Sequence, residues 1–326
     1  MITVACSIII IAGMRAAQSI IEPFLLSVFL AVICSIPLLF LKRKGISAGI
    51  AVAIILVGIV VVALIVALLI GTSLQDFTDA LPSYQARLQD QLAGIFNWLH
   101  SKGIHIDHKK LLGYIQPGKA MEIFAGVMSS FTTVLTNAFM ILLTVIFILF
   151  EVSAFPDKLR AALGNKGSSS ESLTQIAVGI KSYIAIKTLT SLATGIFVAV
   201  CLAIIGVDYP VLWGLVAFFL NYVPNIGSII AAVPAVILSF IQFGIVRTML
   251  VVVVYLIVNT VIGSIIEPRV MGRGVGLSTL VVFLSLVFWG WVLGPIGMLL
   301  SVPLTMIVKI GLENNEDTRG IAVLLS

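Results

Sequence analysis

VLWGLVAFFLNYVPNIGSIIAAVPAVILSFI (residues 211–241) and STLVVFLSLVFWGWVLGPIGMLLSVPLTMIV (residues 278–308) are the two stretches whose reading decides the fold. Each is 31 residues long and almost wholly apolar, yet each is interrupted near its middle by Gly, Pro and polar residues. Each carries Ile-Gly just past the interruption (Ile226-Gly227, Ile296-Gly297) and Val-Pro one or two turns later (Val233-Pro234, Val302-Pro303). In hydrocarbon an amide without a partner costs several kcal/mol, so non-helical backbone survives only when buried in protein or lining a watery cavity. Two matched, interrupted apolar segments are therefore the strongest sequence pointer to a transport path.

The rest of the composition agrees. Of 326 residues, 60% are hydrophobic and 10% charged, against about 25% charged in an ordinary soluble domain. Apolar runs repeatedly reach the ~20 residues that cross a ~30 Å hydrocarbon layer. The expected fold class is an all-α integral membrane protein with about six full spans and two interrupted hairpins, re-entrant or short-span, in a possible inverted repeat. The net charge of +5 is spread over loops and reads as topology information, with no nucleic-acid footprint. Cys6, Cys34 and Cys201 sit inside apolar runs and imply neither a disulfide framework nor a metal. His100, His105 and His108 lack the carboxylate and spacing of a metal site, and no glycine-rich phosphate loop suggests an ATPase or other enzyme. No cofactor is expected.

The chain divides into N-terminal spans (1–73), an external amphipathic arm (74–120), a fourth span with a cytoplasmic linker and helix (121–188), a transport core (189–310) and a tail (311–326). Spans are expected over 2–21, 23–41, 47–70, 131–150, 189–205 and 248–266. The first lacks the basic flank of a cleaved leader and reads as a retained span. Arg15, Gln18 and Glu22 share one helical face; it is either a self-satisfied polar face or the polar mouth of a pathway. In the arm, Leu74, Phe77, Leu81, Tyr84, Leu88, Leu92, Ile95 and Leu99 recur at steps of three and four. That stripe needs a partner, which is this chain, a neighbouring subunit or the membrane surface. Asp107 reads as the N-cap of a short helix that Pro117-Gly118 breaks. Residues 164–171 (GNKGSSSE) form a polar linker. With this topology, 12 Lys and Arg fall on the cytoplasmic side and 7 outside, the sign expected if both termini are cytoplasmic. The first hairpin then enters from outside and the second from inside. Legs of 13 to 16 residues reach ~20–24 Å, short of a full crossing. The first hairpin reads as re-entrant; the second is equally a tilted pair of spans with Trp289 and Trp291 at the interface.

The substrate pathway is expected at the tips. Asn221, Tyr222, Pro224, Asn225 and Gly227 offer carboxamides and a backbone freed by proline. Trp289, Gly294, Pro295 and Gly297 make the corresponding tip of the second hairpin. Asn259 lies mid-span and serves either helix–helix bonding or the pathway. Glu267, closing that span, is a coupling carboxylate or half of a structural ion pair with Arg269.

At NYVPNIGSIIAAVPA (221–235) and IEPRVMGRGVGLSTLVVFLSLVFWGWVLGPIGMLLSVPLTMIVKI (266–310) the chain resembles the autoinducer-2 exporter family of bacterial permeases. PSYQ (82–85) and IAVLLS (321–326) are similar to its quorum-signal transport branch. The resemblance covers essentially the whole chain. It implies a multi-pass permease of the bacterial inner membrane that exports autoinducer-2, a small polar furanone-type signal, as a homo-oligomer, with a pentamer suggested by the family. Some similar proteins are described as sodium or lithium/proton antiporters, so that activity is the alternative; fold alone does not choose between them.

Overall fold

A chain this apolar satisfies its amides internally, and it does so with helices. The computed structural model describes residues 2–101, 138–163, 167–224, 226–271, 277–313 and 318–325. Every regular element among them is helical: α1 (Ile2–Ala16), α2 (Gln18–Arg43), α3 (Ala48–Ser101), α4 (Ala138–Leu163), α5 (Gly167–Ile205), α6 (Pro210–Leu220), α7 (Gly227–Phe243), α8 (Ile245–Val258), a π-helical segment (Asn259–Ile266), α9 (Glu267–Met271), α10 (Thr279–Leu299), α11 (Ser301–Glu313) and α12 (Arg319–Leu324).

Among the described residues, five helical stretches are long and apolar enough to cross a membrane: Gln18–Arg43, Ala48–Gln91, Val178–Ile205, Ile245–Val270 and Thr279–Leu299. The all-α membrane class is therefore present, with shorter apolar helices beside the long ones. Several boundaries differ from expectation. α1 stops at Ala16, and α2 begins at Gln18 and carries Pro23 inside it. α3 runs unbroken for 54 residues, from the expected span into the arm. Residues 167–171 of the linker and the helix after it belong to one 39-residue helix, α5. Ile, Val and Ala before the arm, and Gln, Asp and Arg within it, all tolerate helix, and Pro82 lies inside α3 without ending it.

Among the described residues, packing forms three cores. Ala31, Cys34 and Leu38 of α2, Ala51, Val52 and Ile55 of α3, and Ile141, Val145 and Leu149 of α4 make the first. The second joins Ile70, Phe77 and Tyr84 of α3 to α5, to the hairpin α6–α7 and to α8. The arm's stripe thus finds its partner in this chain as far as Leu88, which packs on that core. The third is central and collects Phe29, Tyr183, Ile184, Tyr222, Leu300, Val302 and Met306. α5 and α6 approach most closely at Gly195 and Gly214. A Cβ on either would stand within 2.7 Å of the other's carbonyl oxygen, the small-residue crossing expected where van der Waals packing drives helix association.

The tail is also docked. Ser278 N donates to Leu325 O at 3.2 Å, and Ala322 is fully buried. Lys309 lies inside α11 and is itself buried.

Candidate functional site

Both hairpins reverse direction by the same device. Gly227 lies against the carbonyl of Leu220, and Gly297 against the carbonyl of Trp289, each where any side chain would collide with backbone. Around the first tip, Ile226 N donates to Pro224 O at 2.6 Å and Gly227 N to Val223 O at 3.2 Å. In the second, α10 consists of two helical segments joined across Leu293 (φ −124°, ψ 19°) and Gly294 (φ 59°, ψ −152°). That Gly294 conformation is reserved to glycine, and Pro295 after it has no N–H to continue the ladder. Trp289 Nε1 donates to Thr305 Oγ1 at 3.0 Å across the two legs. α6 has 11 residues and α7 has 17, or ~16 and ~25 Å, so the legs are short against a ~30 Å core.

The two tips share one apolar cluster. Tyr222 of the first and Leu300 of the second are both buried in the central core, with Ile296 and Leu299 packed against it. The Tyr222 ring lies edge-on to Phe29 (5.4 Å between centroids) and to Phe218 (5.6 Å).

A polar strip on α5 runs beside this cluster. Tyr222 Oη donates to Thr188 Oγ1 at 2.8 Å, and Asn221 Nδ2 to Ser191 Oγ at 3.0 Å. Lys187 Nζ donates to Glu267 Oε1 at 2.6 Å, and Thr190 Oγ1 to Glu267 Oε2 at 3.4 Å. The Lys187 and Glu267 side chains are only 6% and 14% exposed. Each of these largely buried side chains answers the other's charge, which burial would otherwise leave without a partner. Ser228, one residue past Gly227, donates from Oγ to Asn259 Oδ1 at 2.9 Å. Asn259 opens the π-helical segment and Glu267 follows its end. π-helix is rare and concentrates where function needs a side chain re-aimed.

Expectation and structure compare residue by residue. Asn221, Tyr222, Asn259 and Glu267 are brought together through α5 and α7. Trp289, Gly294, Pro295 and Gly297 build the second tip. Asn225 lies outside the described residues, as do residues 102–137 with Asp107 and Pro117-Gly118. The ion pair is corrected: the partner of Glu267 is Lys187, while Arg269 is exposed beyond it on α9. Residues two apart on a helix do not face each other, whereas Lys187 of α5 lies directly beside Glu267. Lys187, Thr188, Thr190 and Ser191 are candidate site residues outside the sequence-based expectation, because a span beginning at Leu189 leaves most of them in the preceding helix. The signal was present in KTLTS (187–191), one cation and three hydroxyls at the mouth of an apolar run.

Broken helices gathering buried polar side chains between long apolar ones define a polytopic α-helical membrane protein of the transporter class. The chain belongs to the AI-2E family transporter family, whose model matches residues 4–316. It is 39% identical to the AI-2 transport protein TqsA of Escherichia coli (strain K12), across 98% of this chain and 93% of that protein. It is 36% identical to YhhT of the same strain, across 100% of this chain and 93% of YhhT. A relative from Haemophilus influenzae is also 36% identical, across 99% of this chain and 94% of its own.

Proposed function

We propose that this protein exports autoinducer-2, or a closely similar small hydroxylated signal, across the bacterial inner membrane without ATP. The observation that carries this reading is the polar strip of α5, where buried hydroxyls and carboxamides meet the tip of the first hairpin. Thr188, Ser191, Asn221 and Tyr222 both donate and accept, which suits a ligand whose own hydroxyls do both. The aromatic edges of Phe29, Phe218 and Tyr222 suit the apolar face of a small ring. The name of the TqsA relative supports the same solute. Both termini are taken as cytoplasmic, the hairpins as approaching from opposite faces, and the working unit as a homo-oligomer, which cross-linking in native membranes tests. Purified protein in liposomes loaded with autoinducer-2 is expected to release it faster than empty liposomes. Equal leakage from both would overturn the reading.

One observation favours a second reading, sodium or lithium/proton antiport. Glu267 stands near the end of its span, yet its side chain is enclosed and paired with Lys187, as an ion-exchanging carboxylate is. In everted vesicles, dissipation of a proton gradient by sodium or lithium, lost in Glu267→Gln, would establish it in place of export.

A further inference from the structure

A polar pair outside that path lies at the other tip. Gln18 Nε2 donates to Glu22 Oε1 at 2.6 Å at the start of α2. A Cβ on Gly294 would stand 2.8 Å from Gln18 Nε2 and 2.9 Å from Glu22 Oε1. The carboxylate and carboxamide therefore occupy the space of the missing side chain, directly on the break in α10. One turn earlier in α10, the Trp291 ring lies 4.7 Å from the Arg15 guanidinium carbon, so a second polar group of the same α1–α2 corner reaches α10. Pro295 cannot bond the carbonyl of Trp291, which leaves a backbone acceptor at the break.

The two tips are thus built alike. Tip one rests on a charged and hydroxylated strip, with Glu267 within it; tip two rests on Gln18 and Glu22. The two carboxylates stand at different breaks, Glu22 on Gly294 and Glu267 on Lys187 of α5. Glu22 begins α2, and the basic triplet Lys42, Arg43, Lys44 ends it some 20 residues, or roughly 30 Å, further on.

We propose that Glu22 and Gln18, seated on the Gly294 break, form a second, water-filled station of the path, separate from the one at Glu267. Its acceptors (the carboxylate, the Gln18 amide oxygen and the freed carbonyl) receive hydroxyl donors of the passing solute. The inference rests on the transport reading, and its test has an arm that does not.

Cys6, Cys34 and Cys201 are first replaced, and single cysteines are introduced as Glu22→Cys, Gln18→Cys and Ile20→Cys. Ile20 is on the same turn, 75% exposed on the outer face of the helix. A membrane-impermeant, negatively charged methanethiosulfonate should modify Glu22→Cys and Gln18→Cys at least tenfold faster than Ile20→Cys. Equal, slow modification at all three positions would make the pair a sealed structural contact and overturn the station. Gel filtration of each variant confirms that it folds. Where the protein releases autoinducer-2 from liposomes, that compound should slow modification of Glu22→Cys several-fold, and lack of protection there would put the station off the path. Where the protein does not move autoinducer-2, the export reading fails by itself, and the labelling contrast alone decides the station.

Discussion

Lys187 and Glu267 form the most consequential contact in the molecule. Removing one member of a buried pair leaves an uncompensated charge, at a cost of about 3–5 kcal/mol. Lys187→Met and Glu267→Gln are each expected to lower the thermal midpoint in detergent, and the double variant to recover much of the loss. A double variant as unstable as the sum of the singles would mean the two residues act independently. At the first tip, Tyr222→Phe deletes one hydroxyl that donates to Thr188. Hydrogen bonds of this kind between membrane helices contribute ~0.6–2 kcal/mol. Folding should survive that loss while release of autoinducer-2 from liposomes falls; unchanged release would remove Tyr222 from the path. None of these pairings was readable beforehand, because Glu267 and Lys187 are 80 residues apart in sequence and Arg269 was the nearer cation.

At the scale of the element, two devices matter: the glycine reversals and the π-helical segment. Gly227 and Gly297 sit against backbone carbonyls, which cannot retreat as a flexible side chain would. Ala at either position should therefore cost more than the ~1–3 kcal/mol of ordinary overpacking, read as reduced yield of folded protein in membranes. Gly13 or Gly58, with open space about them, should accept Ala freely. The π-helical segment holds Asn259 on Ser228 at its start and delivers Glu267 to Lys187 at its end. Deleting one residue within it, such as Val261, would restore α-helical winding and shorten the spacing that the π-turn sets between Asn259 and Glu267. Insertion should persist while transport is lost; full transport in that deletion would show that the winding is incidental. The hairpins were legible in sequence because Pro and Gly interrupt apolar runs, whereas the π segment was not, since NTVIGSII carries no residue that requires it.

For the whole molecule, the length of α3 sets the architecture. Its 54 residues span roughly 80 Å, so the helix crosses the bilayer and continues along the ends of the first hairpin. Tyr84 Oη donates to Asp208 Oδ2 at 2.6 Å, and Phe77 packs against Tyr84 and Tyr209. Gln91 lies against Gly244 at the far end of α7. One stretch of arm thus touches the chain just before α6 and just after α7. Hydrogen bonds to charged groups contribute about 1.5–3 kcal/mol. Tyr84→Phe should accordingly raise amide exchange along α6 and α7, and exchange confined to residue 84 would mean the arm only rests there.

The sequence alone determined the class, the apolar hairpins and their breaks, because each is a local matter of hydropathy, proline and glycine under the rule that lipid offers no partner to an amide. The arm's stripe was equally plain, but not what covers it. Tertiary structure decided that the stripe packs on the first hairpin, that Lys187 and not Arg269 answers Glu267, and that Gln18 and Glu22 lie on Gly294. These depend on which helices come to lie side by side, and many helix neighbours are compatible with an apolar surface that lipid or protein covers equally well.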